Sequence, residues 1–150
     1  MDELTHLDKN GRIAMVDVSG KNLSRRFARA TGRIRLRPET TAMITAGTVA
    51  KGNVVATAEL AGIQAAKKTA ELIPLCHTLP LENILVRVEL DDSGASVAAE
   101  ARCTGKTGVE MEALVAVSTA LLTIYDMCKA VDKTMDITDI RLEKKTKEDV

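Results

Sequence analysis

Several stretches of the chain alternate apolar and polar side chains at the two-residue period of a strand. Ile84, Val86, Val88 and Leu90 alternate with Leu85, Arg87 and Glu89. After Asp91-Asp92-Ser93-Gly94, the alternation resumes through Val97, Ala99, Ala101 and Cys103. Two such runs about a glycine-containing turn predict a hairpin. Arg33, Arg35 and Arg37 alternate with Ile34 and Leu36, a strand with one buried face whose arginines look to solvent. Residues 13–18 read as a further strand, and Ile137, Ile140 and Leu142 as a last one before a charged tail over 143–150.

Between the strands the pattern turns helical. Pro38-Glu39 suits a first helical turn, where proline's missing N–H costs nothing and a carboxylate meets the positive helix end. That helix is predicted to run to about Gly47. From Asn53 to about Ile73 helix formers dominate, and Pro74 ends the segment by restricting the residue before it. The small residues Ala56, Ala58, Ala61, Gly62, Ala65 and Ala66 imply that something packs closely there. Thr107-Gly108-Val109-Glu110 has the form of a capping box, opening a helix to about Val131. Leu114, Val115, Val117, Leu121, Leu122 and Ile124 give that helix an apolar arc wider than one sheet contact needs, so part of it is expected to meet another subunit.

These elements predict an α+β two-layer sandwich, an antiparallel sheet with helices packed on one face. With 150 residues, one compact core is the default. The polar opening MDELTHLDKN and the Asn10-Gly11 turn signal mark a flexible arm over 1–11, leaving a single domain over 12–142 and the tail over 143–150.

Composition removes some function classes. Lys and Arg number 21 and so do Asp and Glu, and with one Tyr, one Phe and no Trp there is little charge or stacking surface for a nucleic acid. No apolar run approaches the roughly 20 residues of a membrane span, and the charged start lacks the order of a secretory signal, so a cytoplasmic protein is expected. Cys76, Cys103 and Cys128 are odd in number and widely spaced, which suggests neither a disulfide framework nor a metal site.

Two familiar motifs fail on inspection. Gly105-Lys106-Thr107 resembles the end of a phosphate loop, but position 100 is Glu where that loop needs glycine. Lys106-Thr107-Gly108 matches a β-lactamase element, yet no Ser-x-x-Lys or Ser-Asp-Asn accompanies it. What remains is a set of polar residues where turns meet helices. Asp126 and Lys129, three apart on a predicted helix, form either a proton-transfer pair or a surface ion pair. His77 sits just past a helix end, as a phosphate donor and proton relay or as a hydrogen-bonded structural histidine. Lys51, just before Gly52 and a helix start, is an anion contact or a solvated loop lysine.

The stretches KGNVVATAELAGIQAAKKTAELIPLCHTLPL, over 51–81, and TGKTGVEMEALVAVSTALLTIYDMCKAVDK, over 104–133, resemble the molybdenum cofactor biosynthesis protein C family. MVDVSGKNLSRRFARATGRI, over 15–34, is similar to the family's opening. The resemblance implies a ferredoxin-like α+β fold and a homo-oligomer, a hexamer built as a trimer of dimers. It implies a lyase that turns 3′,8-cyclo-7,8-dihydroguanosine triphosphate into cyclic pyranopterin monophosphate with release of diphosphate. Carried over by motif, Asp126 and Lys129 are the catalytic acid/base pair and Lys51 a further catalytic lysine. Leu75, Cys76, His77, Met111 and Glu112 line the substrate site, and Arg26, Lys67 and Lys68 meet phosphates. Proton transfers and attack on the α-phosphate need no redox cofactor, and whether Mg2+ accompanies the triphosphate stays open. The sequence departs from the family pattern in two respects: where members commonly carry a glycine-rich basic tail it reads LEKKTKEDV, and Phe27 stands where an acidic residue is common. A non-catalytic domain that only holds an anion would use the same lysines without turnover. An RNA-binding domain of ferredoxin-like shape would need more sheet aromatics than Phe27 and Tyr125 supply.

Overall fold

The computed structural model describes residues 7–150, so the part of the expected arm over 1–6 lies outside the described residues. The elements follow in the order β1 (Ser24–Arg35), α1 (Pro38–Ala46), α2 (Val54–Lys67), α3 (Thr69–Leu72), β2 (Leu81–Asp91), β3 (Gly94–Gly105), α4 (Glu110–Cys128) and β4 (Asp136–Asp149). One sheet of order β2-β3-β1-β4 holds all four strands, every neighbouring pair antiparallel. The chain leaves β1, forms α1 to α3, and returns to β2 with β3 between the two. This split arrangement is the ferredoxin-like topology, with α2 and α4 on one face.

The predicted hairpin is present, with Asp91 opposite Gly94 across a two-residue turn. Around it the boundaries shift. β1 begins at Ser24 rather than near Arg33, because its inward positions Ala28, Ala30 and Gly32 are small and give only a faint apolar signal. Its outward arginines are not simply solvated: Arg33 reaches Asp91 at 2.8 Å and Arg29 reaches Glu100 at 2.8 Å. Arg37 lies beyond the strand and pairs with Asp132.

Four expectations need correction. Residues 13–18 form no strand; Ile13 makes one isolated bridge to Leu7, and Ile13 and Met15 remain exposed for want of a partner. The helix expected over 53–73 is broken at Lys68, whose N–H reaches back to the Ala65 carbonyl at 3.0 Å, and α3 restarts with the buried Thr69 hydroxyl donating to the Ala66 carbonyl. Thr107 does not cap α4. Val109 occupies that position with no side-chain cap, its own side chain buried in the core, and Glu110 and Glu112 serve the positive helix end instead. The residues expected as a tail belong to β4, whose pairing with β1 runs from Asp136 to Asp149 with irregularities near Arg29 and Thr31.

The core forms where α4 crosses β1 and packs on α2. Ala113, Ala116, Val117, Ala120, Leu121 and Ile124 are all buried there. By length and composition α4 would suit a membrane span, but here it is the core helix. Close approach is possible because the opposing positions are glycines. A Cβ at Gly62 would come within 2.9 Å of the Ala116 carbonyl oxygen, and one at Gly32 within 2.8 Å of both Leu121 and Val117. At the sheet margin, the Glu59 carboxylate of α2 accepts from the Val88 N–H at 3.1 Å.

Glycine inside a helix normally costs about 1 kcal/mol relative to alanine, so Gly62→Ala would stabilise an open helix. Here the added methyl meets backbone, and overpacking costs about 1–3 kcal/mol. Gly62→Ala is therefore expected to lower stability in urea unfolding; a raised midpoint would contradict the close packing of α2 on α4.

Candidate functional site

Two polar clusters stand at opposite ends of α4. At its C-terminal end Asp126 projects between two lysines. Lys129, one turn on, places Nζ 2.6 Å from Asp126 Oδ1. Lys51 comes from the loop between α1 and α2 and places Nζ 2.7 Å from Oδ2 and 2.9 Å from the Asp126 carbonyl oxygen. Sequence spacing supplies the first contact and tertiary structure the second. Gly52, at a positive φ of 100°, turns the chain directly after Lys51, and Asn53 caps α2 by accepting from the Ala56 N–H.

All three side chains are about half exposed, so the pairs add little to stability. Their effect is on protonation. The hydrogen bond from Lys129, then the one from Lys51, holds the Asp126 carboxyl down at about 2. Asp126 in turn raises Lys129 above the ordinary lysine range. Because the carboxyl value is depressed, the ion pairs are intact at neutral pH and are lost only as pH falls through about 2.

Around the N-terminal end of α4 lies a cleft of about 460 Å³. Leu75, Cys76 and His77, past the end of α3, face Met111 and Glu112 of the first turn of α4 across it. Glu112 is buried, and burial raises its carboxyl above the ordinary value, with Glu110 adding to the effect. Burial likewise pushes the Cys76 thiol up, helped by Glu112 and Glu110. The cleft thus combines a carboxyl inclined to hold its proton, a protonated thiol and an imidazole. His77 Nε2 is 2.7 Å from the Val16 carbonyl oxygen, and Val16, Val18 and Lys21 form part of the wall. None of those three is among the expected site residues: Val16 and Val18 fall in the alternation over 13–18, and all three in the stretch over 15–34 that resembles the family's opening.

The three cationic residues expected to meet phosphates are spread out. Arg26, on β1, donates weakly to the Lys106 carbonyl at 3.5 Å, and its Nε is buried without a partner among the described residues. It lies beside Lys21, Asn22, Lys147 and Asp149 in a shallow depression. Lys67 ends α2 and borders a groove with Leu79 and Leu81, and Lys68 is exposed at the helix break. Neither lysine lines the cleft of His77 and Glu112. Among the described residues no cluster of His, Cys, Asp and Glu has the makings of a metal site.

Comparison with known proteins gives one consistent result. The family model described as the MoaC family matches residues 15–148. Cyclic pyranopterin monophosphate synthase 3 of Mycobacterium tuberculosis is 56% identical over 146 residues, covering 95% of this chain and 81% of that protein. Cyclic pyranopterin monophosphate synthase of Roseiflexus sp. is 55% identical over 148 residues, 97% of this chain and 94% of that protein. A molybdenum cofactor biosynthesis bifunctional protein of Chlorobaculum tepidum is 58% identical over 144 residues; the chain spans 46% of its length.

In a carboxylate titration followed by NMR, Asp126 is expected to titrate near 2. Lys129→Ala should move its midpoint upward, and Lys51→Ala should do so by less. A midpoint indifferent to both substitutions would mean that the cluster does not persist in solution.

Proposed function

The chain belongs to the MoaC family, and we propose that it is a cyclic pyranopterin monophosphate synthase, a lyase of molybdenum cofactor biosynthesis. Its substrate on this reading is the cyclised guanosine triphosphate, which it rearranges to cyclic pyranopterin monophosphate while releasing diphosphate. The convergence of Lys51 on the Asp126–Lys129 pair supports this most directly, because two lysines from different elements share one exposed carboxylate. An ion pair needed only for stability would gain little there.

The reaction requires a ring to open, a pterin ring to close and a hydroxyl to attack the α-phosphate. Asp126, ionised at neutral pH, is the proton acceptor. Lys129, kept charged by it, is the donor and stabilises negative charge as it develops. Lys51 is the second donor. Cys76, His77, Leu75, Met111 and Glu112 hold the heterocycle, and Arg26, Lys67 and Lys68 answer the phosphates. No step moves electrons to an acceptor, so no redox cofactor is called for; Mg2+ would enter only as the triphosphate's counterion.

Glu112 and Asp126 are 14 positions apart on one unbroken helix (126 − 112), roughly 21 Å along its axis at ~1.5 Å per residue. One compact ligand would hardly reach both ends. Leu122 and Tyr125 leave an apolar face of the same helix exposed. Each active site is therefore taken to combine two chains within a homo-oligomer, a hexamer made as a trimer of dimers, working in the cytoplasm with neither nucleic acid nor membrane as partner.

Purified protein incubated with the cyclised nucleotide should yield pterin and diphosphate. Asp126→Asn, nearly isosteric, should abolish turnover in a folded protein, and Lys51→Ala should lower kcat more than it raises KM. Saturable binding without turnover by the unsubstituted protein would favour an anion-holding domain instead.

Mixing tests the shared site. Inactive Asp126→Asn chains, dissociated and reassembled with inactive Glu112→Ala or His77→Ala chains, should regain part of the activity. Verified mixed oligomers that stay inactive in every pairing would exclude a site built from two chains.

A further inference from the structure

The Gly105-Lys106-Thr107 sequence, which is no phosphate loop, still has a structural task. Lys106 follows β3, and its Nζ donates to the Ser19 carbonyl at 2.7 Å. Ser19 belongs to the segment over 12–23 that leaves the sheet and runs along the cleft, with Val16, Val18 and Lys21 in its wall. The segment has local shape of its own. Asp17 Oδ1 accepts from the Ser19 N–H at 2.8 Å and from the Ser19 hydroxyl, and the Lys21 N–H donates to the Val18 carbonyl at 3.0 Å. Apolar burial holds it down only in part: Val16 and Val18 are half-buried, whereas Ile13, Met15 and Leu23 are 78%, 52% and 54% exposed. Among the described residues, the side-chain hydrogen bonds tying it to the body come from Lys106 and His77.

The second of these bonds fixes the chemistry of the imidazole. A carbonyl oxygen can only accept, so at 2.7 Å from Val16 the Nε2 atom must carry the proton, and in the neutral ring Nδ1 keeps its lone pair. We propose that Lys106 is a positioning residue, pinning the 16–21 strap across the cleft so that the Val16 carbonyl holds His77 as the Nε2–H tautomer and leaves Nδ1 to the substrate. This rests on the reading of the cleft as part of the active site. The titratable groups facing His77 there are Cys76 on its own loop, Lys21 on the strap, and Glu110 and Glu112 on α4. Of these the strap supplies only Lys21, so releasing it leaves Cys76 and both carboxyls in place.

The tautomer can be read without substrate. The chain has two histidines, His6 and His77, and ¹⁵N shifts of the imidazole ring distinguish protonated from unprotonated nitrogens. In the intact protein near pH 8, His77 should show Nε2 protonated and Nδ1 not. Lys106→Met should average the two tautomers and speed amide exchange over 16–21, with kcat falling roughly tenfold and KM changing less. Lys106→Arg, which keeps a donor, should restore the single tautomer and most of the rate. Asp17→Ala, which unlocks the strap from its own side, should act in the same direction. A His77 spectrum unaltered in folded Lys106→Met and Asp17→Ala proteins, or an Nδ1–H tautomer in the unsubstituted one, would overturn the pin. Tautomers that respond as expected while turnover does not would leave the pin standing and remove His77 from the reaction.

Discussion

Everything in this molecule is arranged around the close passage of α4 over β1 and beside α2. Gly32 and Gly62 make the passage possible, because a single methyl at either would press on Val117 and Leu121 or on the Ala116 carbonyl. Alanines at 113, 116 and 120 keep the facing side equally thin. A thin interface brings backbones together, and close-packed backbones form a stiff rod. The helix carries a polar cluster at each end, so its length sets the separation of the two groups of candidate site residues. The loops that complete the clusters are anchored to the same core: Asn53 caps α2 beside Lys51, and the buried Asp132 ties the chain after α4 to the start of α1 through the Arg37 N–H and the Thr40 hydroxyl.

The two clusters differ in the physics of their charges. Around Asp126 the groups are exposed, and neighbouring opposite charges keep carboxylate and ammonium ionised. Around Glu112 burial dominates and favours the neutral acid, and the same burial keeps the Cys76 thiol protonated. One helix thus carries an exposed carboxylate held low by two lysines at one end and, at the other, a buried carboxyl and a thiol whose values are both raised. A reaction that moves several protons past a triphosphate has use for both.

Much of the architecture was legible because it is carried by local rules. The β2–β3 hairpin shows in alternating Ile84, Val86 and Val88 against Val97 and Ala99, and α1 shows in Pro38-Glu39. β1 was half hidden, since Ala28, Ala30 and Gly32 are inward yet barely hydrophobic. β4 was cut short because Lys144, Lys145 and Lys147 look like a solvated tail, although an edge strand accepts such residues readily. The segment over 13–18 misled in the opposite direction: alternation is a strand's pattern, but a strand also needs a partner. At the site, Asp126 and Lys129 could be paired by helical spacing, whereas Lys51 lies 75 positions before Asp126 and only the fold, or the family resemblance, brings it in. The strap carried no local signal of a site, because the Val16 carbonyl that meets His77 is a main-chain atom any residue would supply.

The register of β4 has a consequence for how the molecule comes into being. Its pairing sets Asp149 against Ser24 and Asp136 against Arg35, so the ladder joins the beginning of the domain to its last strand. The hairpin of β2 and β3 can close early, about the two-residue turn between Asp91 and Gly94. The β1–β4 ladder closes over nearly the whole chain, and long loops make slow nuclei. Until it closes, β1 has one bare edge, and its inward small residues shelter little apolar surface. During synthesis the ladder therefore waits for β4, whose lysines blunt the sheet edge that it forms once paired.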